Sequence, residues 1–357
     1  MHYNTLLFLL GSFFLWTIIS PLQAQKPIPI APQLPPAQQW ASLPKLLNNK
    51  RIVALGENYH GVREYNALKL ELVQYLHEEM GFNVLALEGD LAMSYFANAY
   101  RDSLTDTLML EKAVTPVWHT THHLELMAYL KAHPKLQLIG FDMITKRPVA
   151  FFAKELGVNI DSSQMAFQKF LEAYPQWEEV NGNELLYSPE KRDAVMAAIV
   201  QWIAEELYPK EKIIVSAHNY HISNHTIESR MTMGVLLQQQ YKQQYYSIGF
   251  YNSIGTPVHI FRNMPHTVEQ EDLYENSLQY QLAKEKEEAL FIPITGQKRR
   301  KKYQWLHQPI YDRYSKRAHL ELEKLSHYFD GIIWVRKVTA PDFVIENERL
   351  IWGWQWK

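Results

Sequence analysis

The sequence predicts an α/β fold, a mostly parallel central sheet flanked by helices with a helical insertion, and two observations predict it. Four short apolar runs each end on an acid or a histidine. Longer stretches whose apolar residues recur at helical spacing stand between them. Strands separated by helices run parallel with right-handed crossovers, which brings their carboxyl ends to one edge. A chain of 357 residues, 47% of them hydrophobic, can bury the core such a sheet needs.

The elements follow in chain order. Residues 6–19 form an apolar stretch shorter than the ~20 residues needed to cross a bilayer. Ser20-Pro21-Leu22-Gln23-Ala24-Gln25 comes next. Residues 1–24 are therefore expected to be a signal peptide cut after Ala24, leaving a periplasmic or secreted chain without a stable membrane anchor. Pro27, Pro29, Pro32, Pro35, Pro36 and Pro44 predict an extended, non-helical leader over 25–42, ahead of a folded domain over 43–357.

Arg51-Ile52-Val53-Ala54-Leu55 reads as the first buried strand, running out into Gly56-Glu57-Asn58-Tyr59-His60-Gly61. Leu68, Leu72, Val73, Leu76 and Met80 place a helix over Arg63–Met80, stopped by Gly81. The next strand, Phe82–Leu87, ends on Glu88-Gly89-Asp90. Residues 136–141 lead into Asp142, and 212–217 into His218-Asn219-Tyr220-His221. Later strands are expected over 245–250 and 331–336. The helical insertion spans about 143–209, with 168–172 and 194–207 as its clearest helices, and is expected to wall or cover the strand ends.

On this pattern Glu57, His60, Glu88, Asp142, His218 and His221 converge. A carboxylate three residues from an imidazole can orient it and raise its basicity, so that His60 takes a proton from water. Glu88 adds a second acid, and neighbouring carboxylates are costly unless they face a cation, a proton or water. Two histidines with several acids could bind Zn or Mn. A hydrolase without a metal or other cofactor would use the same groups as base, acid and oxyanion donor, and the spacing leaves both readings open. Asp142 reads also as a helix cap. Trp118, Arg63 and Asp142 are expected to bind the substrate. His119, His122 and His123 read as surface residues at a helix start.

Composition removes other classes. A formal net charge of -2 argues against nucleic acid as the main partner. The absence of cysteine excludes disulfides, thiolate ligands and a cysteine nucleophile. Gly-x-Ser-x-Gly and the glycine-rich phosphate loops are missing, which argues against a serine nucleophile and a nucleotide cofactor.

The order of motifs resembles the erythromycin esterase family. Leu55-Gly56-Glu57-Asn58-Tyr59-His60-Gly61 comes first, followed by Gly81-Phe82 through to Ala86-Leu87-Glu88, then Gly140-Phe141-Asp142 and Ala217-His218-Asn219-Tyr220-His221. Met233-Gly234, Tyr246-Ser247-Ile248-Gly249-Phe250 and Phe329-Asp330-Gly331-Ile332-Ile333 complete the set, over residues 43–338. The resemblance implies a three-layer α/β fold with a deep cleft, in which water hydrolyses an ester or lactone without a metal. It matches the family's catalytic histidine to His60, its partner acids to Glu57 and Glu88, and its paired histidines to His218 and His221. The chain is shorter than the macrolide-inactivating members, mainly in the helical part.

Overall fold

The sheet strands are β1 (Ile28–Pro29), β2 (Ile52–Leu55), β3 (Phe82–Leu87), β4 (Gln137–Gly140), β5 (Lys212–Ser216), β6 (Tyr245–Gly255), β7 (Ala289–Pro293) and β8 (Gly331–Val338). Their spatial order is β1-β7-β8-β6-β2-β5-β3-β4. From β8 to β4 every pairing is parallel, while β7 runs against both of its neighbours. The structure, a computed structural model, describes residues 26–31, 34–142, 147–160, 188–259, 264–265, 269, 273–294, 301–313 and 319–345. The expected signal segment 1–24 and the expected helix at 168–172 lie outside them.

The helices are α1 (Pro36–Gln39), α2 (Pro44–Leu47), α3 (Arg63–Met80), α4 (Leu91–Ala99), α5 (Asp106–Ala113), α6 (Thr121–Ala132), α7 (Val149–Leu156), α8 (Pro189–Trp202), α9 (Asn219–Ile222), α10 (Met233–Tyr241), α11 (Leu278–Ala283) and α12 (Leu325–Tyr328). α3 packs on β3 and β8, α4 on β4, and α10 on β6. Burial of Tyr65, Leu68, Leu72, Val73, Leu76 and Met80 on one face explains α3. Gly81 then takes φ 70°, and its N–H bonds back to the His77 carbonyl, so the chain leaves the helix and enters β3.

Strand register positions the chemistry. Leu55 of β2 and Leu87 of β3 both lie level with Ser216 of β5, so three central strands end together. The chain adds β3 and β4 on one side of β2 and later β6 and β8 on the other, which makes this edge a topological switch point. Gly56 is required at the turn. A Cβ there would stand 2.0 Å from Asn219 Oδ1, the atom that accepts the Phe250 N–H at 3.1 Å.

Three expectations need correction. The stretch over 25–42 is not free of helix, because Pro36 sits at the start of α1, where a missing N–H costs nothing. It is also packed on the domain: Ile28 pairs with Phe291, and Trp40 is wholly buried. The last helix of the insertion begins at Pro189, five residues earlier than its apolar pattern suggests, again with proline in its first turn.

Candidate active site

Glu57 leaves β2 and is wholly enclosed. Its Oε1 accepts from His60 Nδ1–H at 2.6 Å and from the Trp118 indole N–H at 2.9 Å, and its Oε2 accepts from Lys69 at 2.5 Å. Burial alone pushes the Glu57 carboxyl up, but Lys69 and His60 outweigh it and hold it below the ordinary carboxylate range. A carboxylate can only accept, so Nδ1 of His60 carries a proton, and in the neutral ring the lone pair stands on Nε2. Among the described residues Nε2 has no protein partner, and 22% of the side chain is exposed.

Glu88 leaves β3. Its Oε1 accepts from Arg192 at 2.7 Å and its Oε2 from the His218 backbone N–H at 3.1 Å. Burial opposes the charge, yet His221 and Arg192 hold the carboxyl well below the usual range. Arg192, in the first turn of α8, also grips Asp142 with two bonds of 2.7 and 2.9 Å. Asp142 thus anchors the arginine. Such a two-pronged grip fixes the guanidinium plane.

His218 and His221 differ in role. His218 Nε2–H donates to the Asn58 carbonyl at 3.1 Å and its Nδ1 accepts from the Tyr220 N–H at 3.2 Å, so both ring nitrogens are committed. Burial, with His60 and His221 nearby, pushes it down to about 3, and it stays neutral. His221 sits on α9 with Nδ1 3.0 Å from the buried Asp193 carboxylate, while Nε2 is 3.2 Å from Arg192 Nη1 and 3.6 Å from Glu88 Oε1. Burial disfavours its charge, but Glu88 and Asp193 prevail and raise its pKa. Neutral, its Nε2 accepts from Arg192; protonated, it turns an N–H toward Glu88.

The structure therefore gathers Glu57, His60, Glu88, Asp142, His218 and His221 on one edge. Trp118 is buried and serves Glu57, while Arg63 reaches Asp342 at the more exposed rim. His119 and His123 are buried, against expectation: His119 bonds the Val114 carbonyl at 2.9 Å, and burial pushes His123 down to about 3. Lys69, Arg192 and Asp193 escaped the sequence reading. Lys69 had a signal, being a cation on the apolar stripe of α3 between Leu68 and Leu72, and Ser188-Pro189-Glu190 marked an earlier helix start that would have included Arg192 and Asp193.

A divalent ion does not suit this donor set. Each of the four carboxylates already accepts from Lys69, Arg192, a histidine or backbone N–H, and the guanidinium stands among the acids where an ion would sit. Among the described residues, the side chains that do bring three ligand atoms together lie elsewhere.

The erythromycin esterase family model matches residues 77–153 and 152–338. The match includes Glu88, Asp142, Arg192, Asp193, His218 and His221, and begins beyond Glu57 and His60. YbfO of Bacillus subtilis (strain 168), a hydrolase by name, is 26% identical over 85% of this chain and 87% of its own. A crystal structure of a succinoglycan biosynthesis protein superposes with a TM-score of 0.68 at 19% identity, over 89% of this chain and 96% of that one. The erythromycin esterase EreC in an open conformation gives a TM-score of 0.60 at 16% identity, over 87% and 96%. At these identities the structures speak to the fold.

Proposed function

Because the chain belongs to the erythromycin esterase family and is a hydrolase of that family, we propose that it hydrolyses a carboxylic ester or lactone with water activated by His60. The observation that carries this reading is the bond of His60 Nδ1–H to the buried Glu57 carboxylate, which leaves Nε2 open toward solvent. Nε2 takes a proton from water as the oxygen attacks the acyl carbon. The tetrahedral intermediate carries one negative charge, which Arg192 Nη1 and protonated His221 can stabilise. Collapse breaks the acyl–oxygen bond, and the leaving alkoxide takes a proton from His60 or His221. The products are an alcohol and a carboxylic acid, which releases its proton to solvent as the carboxylate; where His221 is the donor, the proton held by His60 returns to it.

Glu57 and Glu88 act in this scheme through their neighbours. The Glu57 oxygens are taken up by His60, Trp118 and Lys69, so this acid orients and polarises the base instead of holding water. Glu88 fixes Arg192 and faces His221. His218 supports the Asn58 carbonyl and leaves the proton transfers to His221. In this reading Arg63, 42% exposed at the start of α3 where it pairs with Asp342, meets the bound small molecule at the rim. The apolar stretch at 6–19 with its following break supports a periplasmic or secreted location.

A panel of acyl esters, lactones and peptides incubated with the wild-type chain tests the reaction class. Turnover of an ester or lactone is expected, with peptides untouched. Peptide cleavage, or binding without turnover across the panel, overturns the reading.

A further inference from the structure

Beyond the sheet edge, the chain leaving α9 passes through Ser223 and Asn224 to His225, which meets α12. We infer that His225, Glu323 and His327 form a surface site for a first-row divalent cation, zinc by preference. One ligand atom from each lies within 4.8 Å of the other two. His225 Nδ1–H donates to the Thr226 carbonyl at 3.0 Å, which commits that nitrogen and leaves the Nε2 lone pair free. The His225 and His327 rings lie 5.5 Å apart and nearly parallel, at 28°, and Glu323 Oε2 stands 3.6 Å from His327 Nδ1.

The backbone beneath is fixed. Ser223 Oγ donates to the His225 carbonyl at 2.7 Å and accepts the His225 N–H at 3.2 Å. Asn224 donates its backbone N–H to the Tyr328 carbonyl at 2.8 Å and its side-chain amide to Asp330 at 3.0 Å. Ligands on a tetrahedral zinc stand about 3.4 Å apart, given bonds of about 2.1 Å. Glu323 and His327 are exposed and can close that gap by side-chain rotation. Two imidazoles and one carboxylate favour zinc over magnesium or calcium, which prefer all-oxygen shells. The ion ties the segment that follows His221 to α12, so it acts on stability and does not depend on the proposed hydrolysis.

The chain purified without a histidine tag is titrated with Co(II), then Zn(II), near neutral pH, by visible absorption and calorimetry. One equivalent of Co(II) is expected to bind with the spectrum of a nitrogen- and oxygen-ligated ion, to be displaced by Zn(II), and to be lost as the imidazoles protonate. His327→Ala weakens binding by at least about tenfold. His327→Cys, which returns a ligand, recovers it and shows that the fold of the segment survives substitution. Absence of binding in the wild type, or binding undiminished in the His225→Ala/His327→Ala double variant, overturns the site.

Discussion

Glu57–His60 and Asp193–His221 are each a fully buried acid facing a histidine Nδ1, at 2.6 and 3.0 Å, yet the two pairs end differently. His60 keeps 22% of its side chain exposed and an Nε2 with no partner among the described residues, whereas His221 keeps 9% and meets Arg192 and Glu88. The same local device thus yields a histidine that faces solvent and a histidine locked into a charged cluster. What the histidine can do is decided at its far nitrogen.

Substituting the far ends separates the pairs most strongly. His60→Asn is expected to lower kcat/KM by about three orders of magnitude, near 4 kcal/mol of barrier, while the melting temperature stays close to wild type. A parallel drop in melting temperature would make the first pair structural. Arg192→Gln removes the cation shared by Glu88 and Asp142 and strands two buried carboxylates. Calorimetry is expected to show a loss of roughly 3 kcal/mol, or about 4 °C, together with a fall in kcat/KM of about a hundredfold. Unchanged stability would break the contrast.

A further contrast lies in acid stability. His218 and His123 are held neutral to about pH 3, whereas unfolded they take a proton near 6.5. Above about 6.5 neither state binds these protons. Between about 6.5 and 3 the unfolded chain binds them and the folded chain does not, so stability falls on acidification. The lowered pKa values of Glu57 and Glu88 add a loss of the same sign as pH drops through them. His221, raised, works the other way: its contribution is full below about 6.5 and fades as pH rises through its folded pKa. Melting temperature measured against pH should fall below about 6.5, and fall less steeply in His218→Asn.

Much of this was legible in the residues. α3 and the strands β2 to β5 announce themselves, because a helical stripe ended by glycine and fully buried apolar runs have local causes. The Glu57–His60 pair was legible for the same reason, its members being three residues apart in one loop. Arg192 reaches Glu88 across 104 residues, and no local pattern records that meeting. β7 stayed hidden because its buried run closes on Pro293 and leads to no acid or histidine, the mark by which β2 to β5 were read. Trp118 and His123 looked like pocket wall and surface, since the stretch that leads into α6 gives no sign of folding beneath Glu57.

Imidazole rescue tests the base directly. With the ester or lactone that the wild type turns over, His60→Ala is expected to be inactive in plain buffer and to regain turnover as imidazole is added, in proportion to its neutral form. Wild-type turnover by His60→Ala without imidazole would contradict the assignment of His60 as the group that takes the proton from water.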